Sequence, residues 1–237
     1  MTQPFHFKQF SVHQDQCAMK IGTDGVLLGA WAGKESNPKN ILDVGAGTGV
    51  IALQLAQRFP EAYIEAIELD ADAFEQCVEN FERSTWGDRL FCYHASFAEY
   101  VDEVEDRYDL IVSNPPFYDK EYTTGDVSRD QARFSSSLPL NELVEGASKL
   151  LSTDGIFAVI IPKSREDELV DSALQVNLHP SNILRVRGNK ESRIKRSAIE
   201  FSFRKEIPKE EELTLEIERH QYTEDYLNLV KDFYLKM

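Results

Sequence analysis

From Asn40 to Pro162 the chain alternates short apolar runs with longer amphipathic ones, and this restricts the fold more than any other feature of the sequence. Antiparallel strands can be joined by a tight turn, whereas parallel strands need a crossover of about a dozen residues, usually a helix. Strands are expected at about Asn40–Val44, Ala62–Leu69, Arg89–His94, Asp109–Ser113 and Gly155–Pro162. Helices are expected at about Gly49–Arg58, Ala71–Arg83, Ser96–Val104, Leu140–Leu151 and Ser164–Val176. Leu53, Leu55, Ala56 and Phe59 share one helical stripe, as do Leu143, Val144, Ala147, Leu150 and Leu151, so each helix has a face to lay on a sheet. In the last third, "NILRVRG" and "SAIEFSFRKE" are strand-like with no helix between them and read as an antiparallel hairpin at one edge. The expected fold is doubly wound α/β, a mostly parallel seven-stranded sheet with that edge hairpin. No Gly/Ser/Pro-rich linker divides the chain, so residues 1–237 read as a single domain, with 1–39 an N-terminal extension and 40–237 the α/β core.

Composition excludes several classes. The longest apolar runs, such as "GIFAVIIP", fall short of the roughly 18 to 20 residues a membrane span needs, and the polar N-terminus has no signal-peptide core. A cytoplasmic protein without a membrane partner is expected. Cys17, Cys77 and Cys92 are odd in number and scattered, and no His/Cys spacing suits a metal, so reduced cysteines and no metal are expected. A net charge of -15 argues against non-specific nucleic-acid binding, which draws on Lys and Arg to displace counterions. The charge is segregated, however. Between Arg185 and Arg196, six cations (Arg185, Arg187, Lys190, Arg193, Lys195, Arg196) face only Glu191, whereas the later "PKEEELTLEIE" is acidic.

The first strand–helix junction, "ILDVGAGTGV", ends its strand on Asp43 and then places Gly45, Gly47 and Gly49 at alternate positions. Glycines there let backbone N–H groups approach a ligand, and the helix start adds positive potential. A dinucleotide site would instead show GxGxxG, without an acid just before the loop. Asp43 suits a ligand with an ammonium group. Glu68, about 20 residues on at the end of the second strand, stands where a carboxylate accepts both hydroxyls of a ribose, with Asp70 the second candidate. An adenosine with an amino-acid tail is implied, which describes S-adenosyl-L-methionine.

"LIVSNPPFYDK" ends the fourth strand on Asn114, Pro115, Pro116 and Phe117. The prolines fix φ, remove two donors and push Asn114 into an extended conformation, which leaves the Asn114 side-chain oxygen and the Pro115 carbonyl as acceptors. A conjugated primary amine is a poor nucleophile, and two acceptors on its two hydrogens orient it and free its lone pair. Phe117 then offers a ring for a planar substrate, an interaction worth roughly 1–3 kcal/mol for a base.

Asp43, the three glycines and Glu68 resemble the nucleotide-binding motifs of the class I S-adenosylmethionine-dependent methyltransferases. The Asn114–Phe117 turn resembles the (D/N/S)PP(Y/F/W) motif of methyltransferases acting on adenine N6, guanine N2 or glutamine N5. With "FHFKQFSVHQDQCAMKIGTDGVLLGAWA" and the basic hairpin, essentially the whole chain resembles the bacterial tRNA(Val) adenine-N6 methyltransferases. The resemblance implies a Rossmann-like fold, catalytic roles for Asn114, Pro115 and Phe117, and methylation of a flipped-out adenine immediately 3′ of the anticodon. S-adenosyl-L-methionine would be the donor and S-adenosyl-L-homocysteine the product. It further implies that Lys20, Thr23 and Asp24 close over the methionine end of the donor. Related folds often carry an Asp where this chain has Ser96, so Ser96 or backbone at Phe97 would meet the donor's adenine. The six hairpin cations would track tRNA phosphates, with Lys120, Arg129 and Arg133 extending them, in an enzyme expected to be monomeric. Methylation of another planar amine and a non-catalytic RNA-binding role are the alternatives.

Overall fold

The computed structural model describes residues 3–116 and 138–236 and contains an eight-stranded sheet. A two-stranded ladder of β1 (Phe5–His6) and β2 (Ser11–Val12) precedes helix α1 (Thr23–Trp31). The alternating core follows as β3 (Asn40–Val44), α2 (Val50–Arg58), β4 (Tyr63–Glu68), α3 (Ala71–Glu82), β5 (Leu90–His94), α4 (Phe97–Glu103) and β6 (Tyr108–Ser113). It continues from Leu140 with α5 (Leu140–Leu150), β7 (Leu151–Pro162), α6 (Glu166–Gln175), β8 (His179–Arg187), β9 (Arg196–Ser202) and β10 (Lys209–Thr214). A small ladder, β11 (Glu216–Glu218) with β12 (Gln221–Tyr222), leads to α7 (Glu224–Val230).

The strand order is β10-β8-β9-β7-β6-β3-β4-β5, with β3 to β7 parallel and β9 antiparallel to both of its neighbours. The doubly wound α/β fold and the antiparallel β8–β9 hairpin are as the sequence implies. The sheet has eight strands rather than seven, however, and the hairpin is not its edge. β10, "KEEELT", runs parallel beside β8 and covers it. Its glutamates make this possible: Glu210 pairs with Arg185 at 2.6 Å and Glu212 pairs with Arg187, so cations of β8 meet acids of β10 across the ladder. Four of the six β10 residues are exposed, which removes the apolar alternation that identifies a strand in sequence.

Central strands are buried on both faces, as parallel sheets covered by helices require. Ile41 to Val44 and Leu110 to Ser113 are all buried. One apolar cluster packs α1, α2, α3 and α7 on one face, and a second packs α4, α5 and α6 on the other. Helix starts follow local chemistry. The Asp70 side chain accepts from Ala73 N to open α3, and Ser96 forms a reciprocal capping box with Glu99 to open α4. The helix α1 has Gly22 at its cap position, with no side-chain capping bond, and seven of its nine residues are buried.

Candidate active site

Strand order reverses beside β3: the chain passes to β4 on one side and returns as β6 on the other. The carboxyl ends of strands at such a reversal open a crevice for ligands. Val44 and Ser113 are register partners, and Ser113 Oγ donates to the Val44 carbonyl at 2.9 Å. The glycine loop and Asn114 therefore leave neighbouring strands at the same level, about 4.8 Å apart. On the other flank, the N–H groups of Gly45 and Ala46 donate to the Ile67 carbonyl at 3.0 and 3.1 Å, which places Glu68 beside the loop. Three consecutive strand ends thus bring together Asn114, the glycine loop and Glu68.

Asp43 has no exposed surface, and its Oδ2 accepts the Ala52 N–H at 3.2 Å in the first turn of α2. Its Oδ1 is buried with no partner among the described residues. Burial pushes its carboxyl up to about 7; the Ala52 bond opposes this and the nearby Glu68 charge adds to it. Gly45 and Gly47 have φ of +76° and +54°, and a Cβ on either would meet nothing within 4 Å. They take left-handed conformations beside open space. Gly49 is left-handed too, with φ of +76°, but a Cβ there would lie 2.6 Å from the Phe81 ring and 2.9 Å from Cys77 Sγ. Gly49 is required by the packing of α2 on α3. Glu68 accepts from Gly47 N at 2.8 Å on Oε2 and from Asp70 N at 2.9 Å on Oε1. One N–H on each oxygen leaves each with a lone pair for a hydroxyl donor. Asp70 spends its own carboxylate on capping α3.

The N-terminal segment wraps this crevice. Asn80 and Gln76 of α3 hold the backbone of His13 and Gln16, at 2.8–2.9 Å and 3.0 Å. Cys17 is buried, and its thiol is pushed up to about 12 by burial, then by the charges of Glu68, Asp70 and Asp15. The segment then enters α1, where a Cβ on Gly25 would lie 3.6 Å from Val50, 3.8 Å from Asn114 Nδ2 and 3.9 Å from Ile51. Thr23 and Asp24 are therefore close in sequence to a point that touches both α2 and Asn114. Lys20 is exposed. Asp24 Oδ2 accepts from Arg196 Nε at 2.7 Å, so the start of α1 is tied to the hairpin.

Other expected residues fall differently. The Ser96 hydroxyl donates to Glu99 Oε2 at 2.7 Å and accepts from Glu99 N at 3.2 Å, so the helix cap occupies it. The Phe97 ring is buried in the core, which leaves only its backbone for a ligand. Phe117, Lys120, Arg129 and Arg133 lie outside the described residues. The six hairpin cations divide in two. Arg185 is paired with Glu166 at 2.8 Å and with Glu210, Arg187 with Glu212, and Arg196 with Asp24, whereas Lys190, Arg193 and Lys195 are exposed with no ion pair among the described residues. Burial works to raise Glu166, but Arg185, Ser197 and Lys163 outweigh it and hold the carboxyl below its ordinary range. The three unpaired cations sit on the turn between β8 and β9. Arg196 pairs in register with Pro162 and Val159 with Ser113, so that turn projects from the same edge as Asn114, two strand spacings (about 10 Å) across the sheet and several ångströms further along the strand direction.

Sequence reading missed Asn80 and Gln76. The signal was there: Ala73, Gln76, Cys77, Asn80 and Phe81 form one helical stripe, and amides inside an apolar stripe need partners. A cavity of about 1140 Å³ lies at the far ends of α1 and α2, lined by Trp31, Arg58 and Phe59 among others. It is one helix length, about 13 Å, from the glycine loop and takes no part in the crevice.

Comparison with known proteins agrees with this geometry. Residues 22–177 match the family described as methyltransferase small domain. A tRNA1(Val) (adenine(37)-N6)-methyltransferase of Christiangramia forsetii is 59% identical over 100% of this chain and 99% of its own length. The protein of the same description from Flavobacterium johnsoniae is 57% identical over 98% of this chain and 100% of its own. Among solved structures, a predicted O-methyltransferase from Agrobacterium tumefaciens superposes with a TM-score of 0.68 at 15% identity, covering 89% of this chain and 96% of that one. That likeness shows the fold. The chain carries the methyltransferase small domain and belongs to the family of the tRNA1(Val) (adenine(37)-N6)-methyltransferases.

Proposed function

We propose that this chain transfers a methyl group from S-adenosyl-L-methionine to N6 of the adenine at position 37 of tRNA1(Val), as its relatives are described to do. The observation that carries this reading is the meeting of two chemistries at adjacent strand ends. Asn114-Pro115-Pro116 leaves β6 beside the glycine loop leaving β3, pinned by the Ser113–Val44 hydrogen bond.

The residues present suit the donor. Asp43 Oδ1, buried and without a partner among the described residues, suits an ammonium group; the open cradle at Gly45 and Gly47 suits a chain passing close to backbone; Glu68 suits two ribose hydroxyls. Lys20, Thr23 and Asp24 belong to the segment that wraps the crevice, and the backbone at Phe97 remains for the donor's adenine, Ser96 being engaged as a cap. When bound, S-adenosyl-L-methionine supplies an electrophilic methyl on a sulfonium.

The chain supplies orientation. Asn114 Oδ1 and the Pro115 carbonyl accept the two hydrogens of the exocyclic amine, which turns the nitrogen lone pair toward the methyl group. With donor and adenine bound, Asn114 and Pro115 would hold the amine facing the electrophilic methyl, and the proton of the methylated nitrogen would leave afterwards, so the chain need supply no strong base. Phe117 stacks on the extruded base. Lys190, Arg193 and Lys195 contact tRNA phosphates, while Arg185, Arg187 and Arg196 act within the fold. Residues 1–237 then work as one catalytic domain to which residues 1–39 contribute a wall of the site.

The test is labelled S-adenosyl-L-methionine offered with unmodified tRNA1(Val), a position-37 guanine variant, ribosomal RNA and a glutamine-bearing protein substrate, followed by digestion. N6-methyladenosine from tRNA1(Val) alone is expected. N5-methylglutamine or N2-methylguanine would overturn the assignment.

A further inference from the structure

The interior amide of Asn80 stands on α3 among residues that pack as core, with 1% of its surface exposed. A buried carboxamide is costly unless its hydrogen-bonding groups are paired. Its Oδ1 accepts the His13 N–H at 2.8 Å, and its Nδ2 donates to the His13 carbonyl at 2.9 Å and to the Thr48 carbonyl at 2.9 Å. Both amide hydrogens are therefore used, one on the N-terminal segment and one on the glycine loop. Helix packing alone does not ask for this, since Cys77 and Phe81 pack the neighbouring positions as apolar groups. What the amide adds is a direct hydrogen-bonded bridge between two segments that share the crevice.

Other contacts extend the bridge along the segment. Gln76, one turn earlier, accepts the Gln16 N–H, and the Gln14 side chain accepts the Ile21 N–H at 2.9 Å and rounds the segment toward α1. Between them Cys17 is buried within reach of the charges of Glu68 and Asp70. Beyond them Gly25 packs on Val50 and near Asn114. A strap thus runs from α3 past Glu68 to the catalytic turn, and Asn80 joins it to the loop that carries Gly45 and Gly47.

We propose that Asn80 is a positioning residue for the methyl donor: its side chain registers the N-terminal strap to the glycine loop, so that cradle and wall bind the donor as one unit. This rests on the donor assignment made above. Asn80→Asp preserves shape but loses both donors and sets a carboxylate against two carbonyls. In a pure positioning role, KM and Kd for S-adenosyl-L-methionine rise at least tenfold, KM for tRNA changes less than twofold, and kcat at saturating donor falls less than threefold. The milder Asn80→Ser should show the same split if Asn80→Asp does not fold. In the wild-type protein, donor binding should slow hydrogen exchange at the His13 and Gln16 amides at least tenfold, which a residue serving only stability would not produce. A lowered Tm with unchanged donor Kd, or no change in exchange at His13, would overturn the proposal. Asp43→Asn serves as the parallel arm. Donor binding lost in Asp43→Asn but intact in Asn80→Asp refutes the role of Asn80 alone, whereas binding intact in both refutes the donor site itself.

Discussion

Replacing Asp43 by Asn sets the demands of the fold against those of the site. Asp43 is fully buried, has one hydrogen-bonded oxygen and one with no partner among the described residues, and its carboxyl is raised from 3.8 to about 7. An acid with a raised folded pKa holds its proton more tightly when folded than when unfolded. Its contribution to stability is therefore full below pH 3.8, falls as pH rises toward about 7, and is constant above that. At about 1.36 kcal/mol per pH unit, the loss across the window is about 4 kcal/mol, of which about 2 kcal/mol falls between pH 5 and pH 7. Asn does not ionise and keeps an acceptor for Ala52 N, but its new NH₂ stands where Oδ1 has no partner, at a cost of about 1–3 kcal/mol. The donor-free variant should thus be roughly 1–3 kcal/mol more stable than wild type at pH 8, and this gain should vanish near pH 5. Urea unfolding at half-unit pH steps measures both curves. The donor reverses the preference, because a cation beside Asp43 favours the ionised form. Asp43→Asn should weaken S-adenosyl-L-methionine binding about 30-fold, close to one charge-assisted hydrogen bond. At pH 6, donor binding to wild type should release a proton, seen calorimetrically as a heat that scales with the buffer's ionisation enthalpy. Parallel pH–stability curves for the two proteins, or an unchanged donor Kd, would refute the reasoning.

Asn114→Ala should lower kcat about 10²–10³-fold, as for the loss of one preorganised charge-stabilising contact, while donor Kd stays within about threefold; single-turnover kinetics with calorimetry separates the two. Gly49→Ala and Gly45→Ala should fail in opposite ways. The first drives a Cβ into Phe81 and Cys77 and should lower unfolding free energy by roughly 1–3 kcal/mol beyond the backbone cost. The second meets no atom, should cost only the about 1–2 kcal/mol of left-handed backbone, and should lose donor affinity; thermal melts and donor titrations read both. Joint replacement of Lys190, Arg193 and Lys195 by Ala should weaken tRNA binding and lower the slope of log Kd against log salt by roughly 2 to 3. Arg185→Ala should leave that slope unchanged and instead cost about 2–3 kcal/mol of stability, because Glu166 loses its guanidinium partner in a buried position.

Most of the α/β layout was legible in the sequence, because each central strand is a short, mostly apolar run and the helices between them carry an apolar stripe. Those are local patterns, and burial on one or both faces imposes them regardless of what lies opposite. Asp43, the alternate glycines, Glu68 and Asn114-Pro115-Pro116 were legible for a related reason. Each departs from what a strand end needs, and the departures fall at the strand ends where ligands bind. β10 was not legible: its four exposed acidic and basic positions show no apolar alternation, and its place in the sheet is visible only once Arg185 and Arg187 stand beside it.

The sequence by itself determined the alternation of strands and helices from β3 to β9 and which residues stand at each strand end. Only the tertiary structure decided which like residues do unlike things. It divided the hairpin cations into three spent on Glu166, Glu210, Glu212 and Asp24 and three that remain in solvent. It assigned Gly49 to packing while Gly45 and Gly47 face open space, and gave the Ser96 hydroxyl to a helix cap. It also brought Asn80 to His13, a partner 67 residues away in the chain. The physical reason is the same throughout: a residue's type fixes what it can bond, but whether that capacity is already used depends on neighbours that meet only in three dimensions.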